Sequence, residues 1–172
     1  MVSELYYAGI GSRTTPYSIC GIMTEIARML NLEGYTLRSG GADGADTAFK
    51  NGAGDAWEVF RPKDATPKAV EEASKFHPAW DKCNDYVRKL HGRNAQIILG
   101  RDLSKPVDFT MLWTPGGKTI GGTGLGIRIS EHYKITIKNL YKPETLKEVL
   151  EQYNIERLYD ELVQEEARRL SL

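Results

Sequence analysis

Cysteine and histidine are scarce in this sequence of 172 residues, and the chain carries no net charge. The two cysteines, Cys20 and Cys83, are too few and too far apart for a disulfide framework or a paired-cysteine metal site. We therefore expect both to be reduced core thiols. The three histidines show no spacing typical of metal ligands, so we expect no bound metal.

Balanced charge and the lack of long apolar runs exclude further classes of protein. Lys and Arg together number 23, as do Asp and Glu, so the positive charge typical of general nucleic-acid binders is missing. A local basic patch stays open, but we do not expect nucleic acid as a partner. No segment approaches the roughly 20 apolar residues of a membrane span, and the first residues show no export signal. We expect a cytoplasmic protein without a membrane partner.

Short apolar runs alternate with stretches of helical periodicity, which predicts an α/β fold. The expected architecture is Rossmann-like and doubly wound, with a mostly parallel sheet of about five or more strands and helices on both faces. The predicted strands cover residues 5–10, 35–38, 57–60, 107–113 and 135–140. The fourth strand is apolar on both faces and is expected at the centre of the sheet.

The length suits a single domain, residues 1–172, with a C-terminal helical extension over about 143–172. Residues 67–99 read as helix with a break before Pro78. The second piece should bury a stripe made of Trp80, Cys83, Val87 and Leu90. The apolar side chains of the last helix leave two alternatives open, packing against the sheet or formation of a homo-oligomer.

Three loops share one pattern, in which a strand is followed by glycines and small hydroxyl residues and then by a helix. They are residues 9–13, 39–46 and 121–124. In a doubly wound sheet such loops lie at the carboxyl ends of the strands, where they can converge on one crevice. Glycines allow a ligand to approach the backbone, and the amide groups at a helix start attract anions. The pattern therefore predicts a site for a phosphate-bearing ligand.

The candidate ligand-binding residues come from these loops and from the helix near residue 93. They are Gly9, Gly11, Ser12, Arg13, Ser39, Gly40, Gly41, Asp43, Gly44, Asp46, Arg93, Asn94, Gly121, Gly122, Thr123 and Gly124.

Three of these side chains have alternative roles. Arg13 offers a fork of donors to phosphate oxygens, or is an ordinary surface arginine. Asp46 accepts hydrogen bonds from ribose hydroxyls or caps a helix, with Asp43 as the other candidate cap. Arg93 reaches a phosphate or ties its helix to a neighbouring element.

Several motifs resemble the SLOG superfamily, which joins DNA processing protein A (DprA), a recombination mediator, with the lonely guy cytokinin-activating enzymes. SGGADGAD is similar to the SGGARGID segment of DprA, and GRNAQIILG to its RNRIIAGLS run. GGTGLGIRIS stands where that family has a glycine-rich helix start. The resemblance covers residues 5–137, about three-quarters of the chain. YAGIGSR and GGADGAD are most similar to small stand-alone members, which are often phage-encoded, implying a bacterial or phage-infected host cytosol.

The sequence departs from both branches of that superfamily. Lonely guy phosphoribohydrolases have PGGxGTxxE, whose glutamate assists cleavage of the glycosidic bond, but Ile127 stands at the matching position. An isoleucine cannot transfer protons, and Glu131 could substitute only from a displaced helix. We also expect no counterpart of the winged-helix tail of the recombination mediator. We assign no catalytic residue and no cofactor.

Three functions follow in order of preference. The first is binding of a nucleotide-derived ligand, such as an ADP-ribose-type or cyclic-nucleotide signal, which is sensed or sequestered without turnover. The second is an N-glycosidase or phosphoribohydrolase acting on a nucleoside monophosphate or an NAD-like substrate, with Asp46 or Glu131 as the carboxylate. The third is a single-stranded DNA-binding recombination mediator.

Overall fold

The computed structural model describes residues 4–172 and contains one five-stranded sheet. The strands are β1 (Leu5–Gly9), β2 (Tyr35–Ser39), β3 (Trp57–Val59), β4 (Phe109–Leu112) and β5 (Thr136–Asn139). Their order is β3-β2-β1-β4-β5, and all neighbours are parallel. The predicted α/β fold is confirmed. Residues 1–3, part of the stretch inspected for an export signal, lie outside the described residues.

The centre of the sheet is β1, so the prediction of a central fourth strand is wrong. After β3 the chain crosses to the other side of β1, where β4 pairs with it. β4 is nevertheless an interior strand, flanked by β1 and β5. This position explains why its residues are apolar on both faces.

Helices cover both faces of the sheet. One face packs against α1 (Tyr17–Leu32), α2 (Ala45–Ala53) and α6 (Pro143–Tyr153), and α7 (Glu156–Leu170) lies on α1. The other packs against α3 (Pro67–Ser74), α4 (Asp85–Leu99) and α5 (Gly121–His132). Among residues 4–172, no helix is both long and apolar enough to cross a membrane.

The break between α3 and α4 is wider than predicted. Residues 75–84 are not α-helical and include a short 3-10 turn at Trp80–Lys82. Asn84 starts α4 by accepting a 2.9 Å hydrogen bond from the Val87 amide. The expected stripe is wrong, because its four residues are only half-buried. The buried apolar residues of α4 are Ala95, Ile97, Ile98 and Leu99.

The last helix packs on the first. Helix α1 follows Pro16, which offers no side-chain cap, and Glu166 of α7 takes that role. Its carboxylate accepts hydrogen bonds from the Ser18 amide at 3.0 Å and the Ser18 hydroxyl at 3.2 Å. Leu162 packs over Gly21. The structure thus places α7 on α1 and not, as the packing alternative predicted, on the sheet, and homo-oligomerisation stays a prediction.

Helices α1 and α2 approach each other at Gly52. A Cβ atom at this position would lie 1.9 Å from the Thr24 carbonyl oxygen and 2.9 Å from the Ala27 Cβ. The Thr24 hydroxyl also donates a 2.8 Å hydrogen bond to the Ala48 carbonyl. This close contact fixes α2 and therefore the loop that precedes it.

We predict that Gly52→Ala destabilises the protein by about 2–3 kcal/mol, because the backbone carbonyl of Thr24 cannot move aside without separating the helices. Asn51→Ala, an exposed change on the same helix, is the matched control. Urea unfolding gives the free energy of unfolding of both variants. Equal stability of the two would contradict the predicted close packing.

Candidate functional site

A crevice lies at the carboxyl ends of β1 and β4, where the strand order reverses. The chain leaving β1 turns toward α1 on one face, whereas the chain leaving β4 enters α5 on the other. Because these two connections diverge, they leave a gap between them, which is the usual ligand position in an open parallel sheet. The gap has a volume of about 320 Å³.

The walls of the crevice come from the segments that follow three strands, β1, β2 and β4, and from α4. The lining residues are Ile10, Gly11, Ser12, Arg13, Ala42, Asp46, Leu90, Arg93, Asn94, Ile97, Thr114, Pro115, Ile120, Gly121, Gly122, Thr123 and Gly126.

Nine of the sixteen predicted ligand-binding residues line this crevice. They are Gly11, Ser12, Arg13, Asp46, Arg93, Asn94, Gly121, Gly122 and Thr123. The structure therefore brings together the first loop, the third loop and the α4 pair. Their contact with a ligand stays a prediction.

The other seven, none of which lines the crevice among the described residues, lie beneath or beside it. They are Gly9, Ser39, Gly40, Gly41, Asp43, Gly44 and Gly124.

Two of these seven show how the second loop supports the first. The buried Ser39 hydroxyl donates a 2.7 Å hydrogen bond to the Gly9 carbonyl. Gly44 has a positive φ of 83°, and a Cβ there would lie 2.6 Å from the Ser12 carbonyl oxygen. These residues pack the loops against each other. Asp43 instead borders a shallow groove between α1 and α2.

Arg93 is tied to the backbone beneath the crevice. Its Nη1 donates hydrogen bonds to the carbonyls of Gly40, at 3.0 Å, and Phe60, at 3.1 Å. Its Nε is buried and has no partner among the described residues. Burial lowers the pKa of Arg93, and the charge of Asp46 counters that effect. The tethering alternative for Arg93 is therefore realised in the structure.

Asp46 lies on the crevice floor as a buried carboxylate. It does not cap α2, whose cap position is Gly44, so the capping alternative is wrong. Its Oδ2 instead accepts a 3.2 Å hydrogen bond from the Ala42 amide. Burial raises the pKa of Asp46 to about 6, against the opposing effects of that hydrogen bond and of the Arg93 charge.

The amino end of α5 forms the opposite wall. Its cap residue, Ile120, has no side chain that could accept a hydrogen bond, and the first helical bond runs from the Gly124 amide to the Ile120 carbonyl. The amides of Gly121, Gly122 and Thr123 thus precede that bond and have no backbone partner among the described residues. Free amides and the helix dipole together favour an anion at this wall.

The sequence patterns missed the part of the site that follows β4. Thr114 and Pro115 line the crevice, and the Thr114 hydroxyl accepts a 3.1 Å hydrogen bond from Asn139. A usable signal was present, because residues directly after an interior parallel strand lie at the same edge as the glycine loops. Leu90 and Ile97 gave no such signal, since only the packing of α4 brings them there.

A second group of polar side chains lies outside the crevice. The ligating atoms of His77, Cys83 and His91 all lie within 4.8 Å of one another. Burial lowers the pKa of His91 to about 4, so its imidazole is neutral near pH 7. The sequence spacing of these three residues matched no known metal pattern, and only the fold of residues 75–84 brings them together.

The raised pKa of Asp46 predicts a pH-dependent stability. The folded-state pKa of about 6 lies above the usual value of 3.8, so the folded protein holds this proton more tightly than the unfolded chain. The resulting stabilisation is complete below about pH 4 and is lost as the pH rises through 6. Relative to Asp46→Asn, the free energy of unfolding of the parent protein should fall by roughly 2–3 kcal/mol across that range. Chemical denaturation at several pH values measures it.

The matched control for this pH series is Asp43→Asn, which removes an exposed carboxylate from the same loop. It removes one carboxylate charge, as Asp46→Asn does, but leaves the buried carboxyl in place. If the Asp46→Asn curve ran parallel to the parent curve, the buried carboxylate would not have the raised pKa.

The comparisons with known proteins agree with the fold. No protein-family model matches the chain, and no curated protein matches it significantly in sequence. The structure is similar to that of DNA processing protein A from Helicobacter pylori, with a TM-score of 0.54 and 19% sequence identity. The similarity covers 95% of this chain and 82% of that one. At this identity it shows the fold alone, a Rossmann-like parallel sheet with helices on both faces.

The same comparison corrects one expectation. The Helicobacter pylori protein binds single-stranded DNA, by the description of its structure. The expectation that excluded nucleic acid as a partner is therefore wrong, because it rested on net charge, and net charge does not describe the local field of a crevice.

Proposed function

We propose that the protein binds single-stranded DNA and that the crevice holds one phosphate-bearing nucleotide of the strand. The observation that carries this proposal is the pairing of free amides with a cation across one gap. The amides of Gly121, Gly122 and Thr123 form one wall, and Arg13 lies on the opposite rim. Guanidinium and helix-start amides are the two groups that bind phosphate oxygens best.

Arg13 is available for such a contact. Its side chain is exposed and makes no hydrogen bond or ion pair with another residue of the described chain. Arg93, by contrast, donates hydrogen bonds from one nitrogen to two backbone carbonyls and so holds the floor of the crevice in place. Thus Arg13 is the cation that supplies affinity, and Arg93 is the cation that shapes the crevice.

The size of the crevice suits one nucleotide rather than a long ligand. A volume of about 320 Å³ lies at the small end of the range for ligand pockets. The rim residues Arg13 and Ile120 are exposed, so a strand can continue past the bound unit. A similar structure that binds single-stranded DNA and aligns over almost the whole chain supports this choice of ligand.

We predict that Arg13→Ala weakens binding of a labelled oligo-dT of about 20 nucleotides by roughly ten- to hundredfold, the effect of losing a charge-assisted hydrogen bond. The slope of log affinity against log salt should decrease by about 1, because one phosphate contact is lost. Fluorescence anisotropy over a salt series measures both quantities.

Arg157→Ala is the matched control, because this arginine is 93% exposed and lies on α7. It should leave affinity and salt slope unchanged. Binding that is independent of salt, or equally weakened in both variants, would contradict the proposal.

A free nucleotide is the second candidate ligand. The observation in its favour is that aliphatic residues, and no aromatic ring, line the described crevice, so it offers no stacking platform for successive bases. This alternative includes sensing or sequestration of an ADP-ribose-type or cyclic-nucleotide signal. Mass spectrometry of a nucleotide panel separates the two sources, because only this alternative predicts one intact species bound stoichiometrically without DNA.

Turnover of the ligand is the third alternative, and the lost glutamate counts against it. Ile127 is buried in the core, and Glu131 is exposed one turn further along α5. Asp46 is then the remaining carboxylate near a bound nucleotide. Release of free base that stops in Asp46→Asn would indicate an N-glycosidase. Homo-oligomerisation, a phage origin and a cytoplasmic location stay predictions.

A further inference from the structure

Three side chains with metal-binding atoms meet at the turn between α3 and α4. His77 and Cys83 belong to residues 75–84, which are not α-helical, and His91 lies in the second turn of α4. Their ligating atoms all lie within 4.8 Å of one another. This cluster lies outside the lining of the crevice and does not depend on the proposed function.

The distances within the cluster are close to those of a metal centre. The Cys83 Sγ lies 3.8 Å from His77 Nε2 and 3.9 Å from His77 Nδ1. The rings of His77 and His91 have centroids 4.5 Å apart. With zinc bonds of about 2.3 Å to sulfur and 2.0–2.1 Å to nitrogen, a tetrahedral centre separates these two atoms by about 3.6 Å. The Cys83 sulfur and the His77 nitrogen are therefore already within a few tenths of an ångström of that separation, and no two of the three ligating atoms are more than 4.8 Å apart.

His91 provides an independent observation that points to a ligand at this cluster. The residue is only 5% exposed, and its Nδ1 is buried without a hydrogen-bond partner among the described residues. A buried polar atom without a partner is costly and rare in folded proteins. A metal ion held between His91 and the other two side chains would give the buried ring a partner.

Metal binding would replace two hydrogen bonds that the loop makes in this structure. The Ala79 amide donates to His77 Nδ1 at 3.0 Å, and the Cys83 thiol donates to the Ala79 carbonyl at 3.6 Å. Both bonds are local to the loop, so they can be replaced without unfolding α3 or α4. Binding requires the loss of the Cys83 thiol proton, since thiolate is the ligand.

We propose that His77, Cys83 and His91 bind one zinc-type divalent transition-metal ion, with water as the fourth ligand. Two imidazoles and one thiolate form a donor set suited to such an ion rather than to Mg²⁺ or Ca²⁺. The thiol loses its proton to solvent as the metal–sulfur bond forms, and no electron is transferred. The ion joins the loop to α4 two residues before Arg93.

The test uses the full chain treated with chelator and then titrated with Co²⁺, a spectroscopic substitute for Zn²⁺. We expect one equivalent to bind, with a thiolate-to-cobalt charge-transfer band, and Zn²⁺ to displace it. Cys83→Ser should abolish the band. Cys83→Ser and His91→Gln should each weaken Zn²⁺ binding at least tenfold, because even residues that only hydrogen-bond to metal ligands contribute ten- to a hundredfold to metal affinity. The matched controls are Cys20→Ser and His132→Gln.

A second measurement needs no substitution and covers the case in which a variant fails to fold. Zn²⁺ should slow alkylation of Cys83 in the parent protein, with Cys20 as the internal reference, as mass spectrometry of the two peptides reports. Unchanged alkylation of Cys83 would overturn the proposal. A cobalt band that persists in Cys83→Ser or disappears in Cys20→Ser would overturn it as well.

Discussion

The reversal of strand order at β1 is the constraint on which the rest of the molecule depends. Five parallel strands in the order β3-β2-β1-β4-β5 force the connections after β1 and β4 to opposite faces. No side chain of the sheet fills the space between those connections, so the crevice follows from topology before any residue in it is specified. The glycines and the arginines then decide which ligand this space favours.

The floor of the crevice combines two oppositely charged side chains, Asp46 and Arg93, that are both largely shielded from water. Burial disfavours the charged forms of Asp46 and Arg93, and each charge favours that of the other. Arg93 also links α4 to the carbonyls of Gly40 and Phe60, which follow β2 and β3. The floor is therefore a fixed part of the fold. The rim adds the positive charge of Arg13, which is exposed and has no competing partner in the described chain.

Sequence patterns predicted the strands well because parallel, doubly buried strands are short apolar runs with clear ends. They also predicted two walls of the crevice, Gly11–Arg13 and Gly121–Thr123, because glycines after a strand mark the carboxyl edge of the sheet. The second loop was less predictable. Ala42 and Asp46 of this loop line the crevice, whereas its glycines lie against neighbouring segments of the chain.

The remaining parts of the site depend on packing that no local pattern shows. Leu90 and Ile97 reach the crevice because α4 starts at Asp85, and that start depends on the Asn84 cap rather than on apolar periodicity. Because α4 does not start before Asp85, residues 75–84 form a loop, and this loop places His77 and Cys83 beside His91. Net charge was misleading for a similar reason, since an averaged quantity contains no information on where the arginines lie.

The central claim is that a nucleotide phosphate of single-stranded DNA binds at the start of α5. The most direct measurement is an NMR titration of isotope-labelled protein with oligo-dT, following the backbone amides. The account predicts that the amide signals of Gly122 and Thr123 shift most, together with that of Ser12, while signals from α7 stay in place. Shifts confined to α7, or none at Gly122 and Thr123 at saturating DNA, would contradict it.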